Sequence, residues 1–260
     1  MKLAVDIGNS TIALGFLDDS GSVRDFFKIR KDEVEEQQMA FEHVNAELKS
    51  RSISCESVDM VCVSSVVPTV TEAFEGILRR FFGCPIRRLE PGMSSLVDCS
   101  GVSSELGGDI YANLVAARFK HPDRDLIVVD FGTATTIAGV RRDGRIVGVS
   151  ISCGIHTSLN AICGKAELLG GVMLDSPVFS LGTNSKDALI SGALFSALGM
   201  LQCCISYCSS SFHAKPYVVA TGGASEYFRG RGGMIDEFDE NNTVLGIVKS
   251  FETSAKEDRK

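Results

Sequence analysis

The chain has 260 residues, of which 44% are hydrophobic and 23% charged, so it is long enough for one large core or two smaller ones and too apolar for a disordered chain. Its 26 Lys and Arg residues against 33 Asp and Glu residues give a net charge of -7, which argues against nucleic acid or an anionic membrane as a partner. Nine cysteines without a Cys-x-x-Cys pair predict reduced thiols in a cytoplasmic protein, for which neither a leader nor a membrane span is expected.

The first half of the chain has the spacing of a hairpin followed by alternating helices and strands. Two apolar runs flank a tight Asp-x-Gly turn near the amino terminus, a pattern typical of paired strands. Further on, apolar residues recur at helical spacing, and Gly and Pro separate the runs. In chain order, the predicted elements are a hairpin over 3–16, a helix over 33–49, a strand over 59–67, a helix over 70–82, a helix from Asp109 to about Lys120 and a linker at Pro122 and Asp123.

The second half begins with the same arrangement, so we expect two lobes, over 1–120 and 125–260. Its longest predicted helix carries more apolar side chains than an exposed helix tolerates, which indicates burial in its own lobe or at a dimer interface. The predicted elements are a hairpin over 127–140, helices over 157–169 and from Ser185 to about Tyr207, and a Gly-rich turn over 218–225 that follows an apolar strand.

The two hairpins share one motif. A glycine at such a turn lets the backbone approach a ligand closely, and its N–H groups and hydroxyls can then bond to phosphate oxygens. The carboxylate at the end of the strand suits a cation or its bound water. Two such turns, together with the Gly-rich turn over 218–225 for an adenosine, predict a nucleotide site. The motif recurs with an offset of 124 residues, from Asp6, Gly8, Thr11 and Gly15 to Asp130, Gly132, Thr135 and Gly139.

Short motifs along nearly the whole chain support a closer assignment. They are the segments 6–11, 64–68, 91–92, 105–109, 130–136, 182–185 and 220–224. Together and in this order they resemble type III pantothenate kinases, within the superfamily of actin, sugar kinases and heat-shock ATPases. The resemblance implies an α/β fold with a duplicated ribonuclease-H-like (actin-like ATPase) unit, in which two lobes of mixed sheets flanked by helices close on ATP.

The same resemblance implies phosphorylation of pantothenate to 4′-phosphopantothenate with magnesium ATP, the first step of coenzyme A biosynthesis. It implies that Asp109 is the proton acceptor and that Asp130 binds a monovalent cation, potassium or ammonium. It also implies a cytoplasmic homodimer that binds ATP and pantothenate and neither nucleic acid nor membrane. The implied ATP-binding residues are Asp6, Ile7, Gly8, Asn9, Ser10, Thr11, Ile12, Ala13 and Thr133, and the implied pantothenate-binding residues are Gly107, Gly108, Asp109, Ile110 and Ser185.

Departures from the family pattern lie on the acceptor side, whereas the phosphate-side motifs are nearly intact. Ile110 stands where the family has an Arg, a residue suited to pair with the carboxylate of an acid substrate. Ser185 replaces the usual Thr and keeps its hydroxyl, and segment 94–100 lacks the usual Thr-Gly pair and aromatic contact. Two alternatives therefore stay open. One is a non-catalytic or regulatory relative that binds nucleotide as an accessory factor, and the other is a kinase of another small hydroxyl substrate.

Overall fold

Strands and helices alternate through the computed structural model, which describes residues 1–165, 171–230 and 233–254. In chain order they are β1 (Lys2–Ile7), β2 (Thr11–Leu17), β3 (Val23–Arg30), α1 (Gln37–Ser50), β4 (Met60–Ser65), α2 (Pro68–Phe81), β5 (Ile86–Arg88), α3 (Gly108–Lys120), β6 (Leu126–Phe131), β7 (Ala134–Val140), β8 (Ile146–Cys153), α4 (Ile155–Cys163), α5 (Ser185–Cys208), β9 (Tyr217–Thr221), β10 (Glu237–Phe238) and α6 (Asn242–Glu252).

The chain divides into two compact units, Met1–Pro122 with Asn241–Lys260, and Asp123–Glu240. The sequence placed all of 125–260 in the second lobe, whereas α6 belongs to the first unit. Two predicted helices also differ from the observed ones by more than two residues at one end. The predicted helix over 33–49 begins with a 3-10 turn at Lys31–Glu35, and the one over 157–169 starts at Ile155 and ends at Cys163, with 166–170 outside the described residues.

Each unit is built on one five-stranded mixed sheet, and the two sheets have the same topology. The strand orders are β3-β2-β1-β4-β5 and, from the corresponding edge, β8-β7-β6-β9-β10. In both sheets the first three strands are antiparallel neighbours and the remaining pairs are parallel. The duplicated α/β fold expected from the repeat is confirmed.

In the first unit, helices cover both faces of the sheet. One face is a hydrophobic core in which Leu3, Val5 and Val63 pack with apolar residues of α1 and α2, such as Val44 and Phe74. Because side chains alternate along a strand, Asp6 and Ser64 point to the opposite face. Helices α3 and α6 pack on that face.

Helix α6 packs too closely on its neighbours to be separated from the first unit. A Cβ atom on Gly246 would lie 1.8 Å from the carbonyl oxygen of Ala112 in α3. The buried amide of Asn242 donates to the carbonyl oxygen of Asn113 over 3.0 Å, and Lys2 of β1 forms an ion pair with Glu252. These long-range contacts explain why the end of the chain returns to the first unit.

In the second unit, one sheet face packs on α4 and α5. The core contains Ile127, Val129 and Phe131 of β6, with Leu159 of α4 and Leu194 of α5 among the buried helix residues. The alternation of β6 then places Asp130 on the other face. Its lateral neighbour in the parallel strand β9 is Thr221.

The two hairpins differ in register although their sequences repeat. In the first, Ile7 pairs with Ile12 across the turn, but in the second Phe131 pairs with Thr135, so the second turn is one residue shorter. A shift of one residue moves a side chain to the other face of a strand. Thr135 is accordingly fully buried, whereas Thr11 is exposed. Thr11 and Thr135, which the sequence repeat aligns, therefore occupy different positions in the two hairpins.

Candidate active site

The turn between β1 and β2 presents a polar edge. The backbone N–H of Gly8 donates to the carbonyl oxygen of Thr11 over 3.0 Å, and a Cβ atom on Gly8 would lie 3.2 Å from that oxygen. Asn9, Ser10 and Thr11 are exposed at the turn. Within the predicted ATP segment, this exposed polar part is flanked by side chains that belong to the core, namely Ile7, Ile12 and Ala13.

Strand register brings the end of β1 next to the start of α3. Asp6 and Ser64 are neighbours in the parallel pair of β1 and β4. The Ser64 Oγ atom lies 2.9 Å from the position that a Cβ atom on Gly108 would occupy. The first unit therefore places the phosphate-side carboxylate of Asp6 and the first turn of α3 at the same end and on the same face of its sheet.

Asp109 lies in the first turn of α3, where the helix dipole favours a negative charge. Its side chain is half-buried, and its Oδ1 atom accepts the backbone N–H of Ile110 over 2.8 Å. Burial raises the pKa of Asp109, although the hydrogen bond from Ile110 acts to lower it. A carboxylate with a raised pKa is a better proton acceptor, which is the property that a general base requires.

Two glycines leave room for this carboxylate. Gly107 is the N-cap of α3, and a Cβ atom there would lie 2.5 Å from Asp109 Oδ1. A Cβ atom on Gly108 would meet Ser64 instead. Ile110, next in the chain, is buried with an exposed fraction of 7%, so the residue that stands in place of the family Arg belongs to the packed interior of the first unit.

The loop before Gly107 is anchored to the carboxyl-terminal end of the first unit. Tyr111 Oη accepts the backbone N–H of Ser94 over 2.7 Å, and burial raises the pKa of Tyr111 to about 12. The hydroxyls of Ser94 and Thr253 are 2.6 Å apart, and the N–H of Ser95 donates to the Thr253 carbonyl oxygen. The residues after α6 thus hold the loop that leads to Asp109.

In the second unit, the turn between β6 and β7 is fastened from α4. Thr133 is exposed, and its carbonyl oxygen accepts the N–H of Gly154 and the Thr157 hydroxyl over 2.6 Å. A Cβ atom on Gly154 would lie 2.3 Å from the Gly132 carbonyl oxygen. These contacts hold the backbone of Thr133 and leave its side chain on the surface.

The carboxylate of Asp130 lies against the Gly-rich turn that follows β9. Gly222 has φ +86°, and a Cβ atom there would lie 2.3 Å from Asp130 Oδ1 and 2.7 Å from the backbone of Phe131. Carboxylate and backbone oxygens are ligands that hard cations accept. In the described part of the chain, no cluster of three or more His, Cys, Asp or Glu residues forms a transition-metal site.

Ser185 is the first residue of α5 and is exposed. Asn184 caps this helix by accepting the N–H of Asp187 over 2.9 Å.

The region Ser185–Ser211 is the one described helix that is long and apolar enough to cross a membrane by length and composition, with a mean hydropathy of 1.9. Those two criteria are weak evidence, since core helices of soluble proteins also meet them.

Of the predicted site residues, the first unit contains Asp6 to Ala13 and Gly107 to Ile110, and the second contains Asp130, Thr133 and Ser185. The sequence reasoning assigned no role to Ser64. The signal that could have found it is its position two residues after Cys62 on an apolar strand, where a second small side chain ends up on the same face as Asp6.

Comparisons with known proteins agree with this architecture. The family profile described as type III pantothenate kinase matches residues 2–207. The type III pantothenate kinase of Fusobacterium nucleatum is 30% identical over 254 residues, which cover 96% of this chain and 98% of that protein. The chain belongs to the type III pantothenate kinase family. Another member, from Geotalea uraniireducens, is 30% identical over 248 residues, with 95% and 96% of the two chains covered.

Solved structures place this pantothenate kinase family member among actin-like folds. A Baf-family transcriptional activator from Campylobacter jejuni has a TM-score of 0.58 at 19% identity, with 96% of this chain and 97% of that chain covered. A ROK-family glucokinase from Streptomyces griseus, solved with glucose and AMPPNP, has a TM-score of 0.50 at 14% identity, with 98% and 99% covered. At these identities, the likeness establishes the fold.

Proposed function

We propose that this type III pantothenate kinase transfers the γ-phosphoryl group of magnesium ATP to the primary hydroxyl of pantothenate. The proposal rests on the position of Asp109 in the first turn of α3, where its carboxylate is half-buried and has a raised pKa. Family membership adds the reaction class. Phosphoryl transfer to an alcohol needs a carboxylate that accepts the hydroxyl proton while the donor phosphate is held in line.

In this mechanism the chain binds and orients the two substrates and accepts the proton of the acceptor hydroxyl. Asn9, Ser10 and Thr11 bind phosphate oxygens from the exposed first turn, and Thr133 contributes a further contact to ATP. ATP would supply the phosphoryl group that is transferred, and its magnesium ion would supply positive charge that screens the phosphates. Gly107 and Gly108 let the acceptor approach α3, and Asp109 takes the hydroxyl proton. The oxygen donors of these segments suit both phosphate and magnesium, since hydroxyls bind phosphate and carboxylates bind hard cations.

We assign Asp130 to a monovalent cation, potassium or ammonium, on the same resemblance. The Asp130 carboxylate, whose Oδ1 atom lies against the turn at Gly222, offers oxygen ligands of the kind that such a cation accepts. Ser185 is assigned to pantothenate because its hydroxyl lies at the exposed start of α5. The Asp130 assignment predicts that replacing potassium by sodium raises the KM for ATP or for pantothenate. The Ser185 assignment predicts that Ser185→Ala raises the KM for pantothenate. Neither change is expected to unfold the protein.

The proposed assembly is a cytoplasmic homodimer that buries apolar surface of the second unit. Large hydrophobic side chains are exposed mainly on this unit, and Leu181 and Tyr207 are the most exposed, at 88% and 86%. Sedimentation velocity tests the dimer, with Tyr207→Glu expected to give monomers and Met39→Glu, an exposed position of the first unit, expected to leave dimers. A wild-type monomer would contradict the proposal. Among the described residues of this unit, the large hydrophobic side chains that are exposed are Val149, Ile151, Ile162, Met173, Leu181, Phe195 and Tyr207.

The decisive experiment measures phosphopantothenate formation with ATP, magnesium, potassium and pantothenate. Asp109→Asn is expected to lower kcat by about a thousandfold, the range for loss of a general base, while ATP still raises the melting temperature. Asp19→Asn, the same exchange in the exposed turn between β2 and β3, is the matched control and is expected to keep activity. Equal product formation by wild type and Asp109→Asn would refute the catalytic role.

The buried Ile110 favours one further candidate, a kinase of another small hydroxyl substrate. Without the family Arg at this position, a charge-assisted pair with the pantothenate carboxylate must come from another residue, and loss of such a pair costs about 1.5 to 3 kcal/mol. The same assay with a panel of small hydroxy acids and polyols distinguishes the two. Turnover of another acceptor in preference to pantothenate would support this candidate. ATP-dependent stabilisation with no turnover of any acceptor would support the regulatory relative.

A further inference from the structure

A fully buried serine lies directly under the first turn of α3 and its hydroxyl is not used by the fold. Ser64 has an exposed fraction of 0%, and its Oγ atom has no hydrogen-bond partner among the described residues. Buried hydroxyls nearly always have a partner, because an unpaired one forfeits the hydrogen bonds it made in water. A buried hydroxyl without a hydrogen bond destabilises the fold, so its presence needs an explanation. The Ser64 hydroxyl lies in the region already assigned to catalysis.

The neighbouring serine shows that the chain can satisfy a hydroxyl at this place. Ser65 Oγ is 2.7 Å from Thr71 Oγ1 and accepts the backbone N–H of Val67 over 3.0 Å. Ser65 points to the α2 side of the sheet, whereas Ser64 points to the side on which α3 packs. The unpaired hydroxyl is therefore the one that faces α3.

Two contacts place Ser64 beside Asp6 and beside the residue that precedes Asp109. Its lateral neighbour on the sheet is Asp6, the residue before the phosphate turn. Its Oγ atom is 2.9 Å from the ideal Cβ position of Gly108, the residue before Asp109. Beyond the chain neighbours of Gly108, the next atoms near that position are Ser64 Cβ at 3.8 Å and Leu89 Cδ2 at 3.9 Å.

We propose that Ser64 is a positioning residue, whose hydroxyl donates to the Asp109 carboxylate in the substrate-loaded enzyme. The inference rests on the proposed function, because it concerns the same base. A hydrogen bond to the ionised form lowers the pKa of a carboxyl group. Ser64 thus acts against the effect of burial on the pKa of Asp109, favours the ionised form of the base and fixes the orientation of its oxygen toward the acceptor hydroxyl.

The test compares wild type with Ser64→Ala by the pH dependence of kcat. The variant is expected to lose at least tenfold in kcat with an unchanged KM for ATP, and the acid limb of its profile is expected to move up by about one pH unit. Its melting temperature is expected to stay the same or rise, because the substitution removes an unpaired buried hydroxyl. A serine chosen only for its size would give no change in kcat or in the acid limb, since Ala is no larger.

Two controls separate this role from packing. Ser250→Ala removes another fully buried serine of the first unit, whose hydroxyl donates to the Gly246 carbonyl oxygen, and it is expected to leave the acid limb in place. Gly108→Ala is expected to lower the melting temperature through collision with Ser64 Oγ, and adding Ser64→Ala is expected to restore part of that loss. Failure of this restoration would show that the two residues do not touch in solution and would overturn the inference.

The outcome for Ser64 stays distinct from the outcome for the proposed function. Wild-type turnover of pantothenate decides the function in the same assay. The pKa of Asp109 is then measured directly by carboxyl NMR of enzyme saturated with a non-hydrolysable ATP analogue and pantothenate. A higher pKa of Asp109 in Ser64→Ala supports the inference. An unchanged pKa overturns it, even if wild type is an active kinase.

Discussion

At the scale of single residues, the site combines an ionisable group and small neighbours in a confined space. Asp109 is a half-buried carboxylate at a helix start, Gly107 leaves room for its Oδ1 atom, and Gly108 leaves room for the Ser64 hydroxyl. Ile110 is buried in the core. The sequence identified the four residues from Gly107 to Ile110 by motif. The burial that raises the pKa of Asp109 was not predictable, because it depends on tertiary packing around the start of α3.

The first prediction concerns the stability cost of this carboxylate. Because burial raises the pKa of Asp109 above its ordinary value of 3.8, the native state holds the proton more tightly than the unfolded state. Stability therefore falls as pH rises from about that value through the raised pKa. Asp109→Asn is expected to melt at a higher temperature than wild type at pH 7, and the difference is expected to shrink toward pH 4. Calorimetry at the two pH values checks this. A variant that melts below wild type at pH 7 would contradict it.

At the scale of elements, each turn is shaped by what lies against it. The motif of β1 and β2 reappears in β6 and β7, yet the register of the second hairpin is shifted by one residue. The shorter turn fits because Gly154 packs on the backbone of Gly132 and Thr133. The sequence similarity of the two motifs therefore predicted both hairpins. Packing against α4 decided which side chains of β7 face the core.

The second prediction uses two adjacent glycines after β9. At Gly222, a φ of +86° and the contacts with Asp130 and Phe131 leave no room for a Cβ atom. Gly222→Ala is expected to lower the free energy of unfolding by about 2 kcal/mol. Gly223→Ala, where nothing lies within 4 Å, is expected to change it by less than about 0.5 kcal/mol. Urea titration of both variants gives the comparison, and equal losses would show that the turn is not constrained by Asp130.

The third prediction concerns the contact between α3 and α6. Gly246→Ala improves helix propensity, but its Cβ atom would lie 1.8 Å from the Ala112 carbonyl oxygen, so the helices must move apart. We expect a loss of about 3 kcal/mol. Gly76→Ala, in an exposed position of α2 with nothing within 4 Å, is expected to gain about 1 kcal/mol from propensity alone. Denaturant unfolding measures both, and a gain at Gly246 would mean that α6 does not pack on α3 in solution.

At the scale of the whole molecule, the chain forms one unit from two separate segments. Met1–Pro122 and Asn241–Lys260 enclose Asp123–Glu240 in the sequence. The ion pair between Lys2 of β1 and Glu252 of α6 joins these two segments, and Lys249, one turn earlier in α6, pairs with the same carboxylate. Hydrogen bonds from both lysines lower the pKa of Glu252, although burial acts to raise it. The first unit is therefore complete only after the last helix has been made.

The fourth prediction follows from this discontinuity. In native-state hydrogen exchange with added denaturant, amides of α6 are expected to exchange at the same free energy as those of β1 and β4. Gly246→Ala is expected to weaken protection in α6 and β1 more than in β6 and β9. Protection of α6 that follows β6 instead of β1 would contradict the assignment of this helix to the first unit.

The sequence by itself determined the local features of this protein. Apolar periodicity and turn chemistry predicted the two hairpins and the helix that begins near Asp109, because these signals involve residues a few positions apart. The family was predicted from the resemblance of its short motifs, in their order along the chain. Tertiary structure alone decided that α6 returns to the first unit, that Thr135 is buried while Thr11 is exposed, and that Ser64 lies under Gly108. Each of these depends on backbone contacts between segments distant in sequence, which no local pattern encodes.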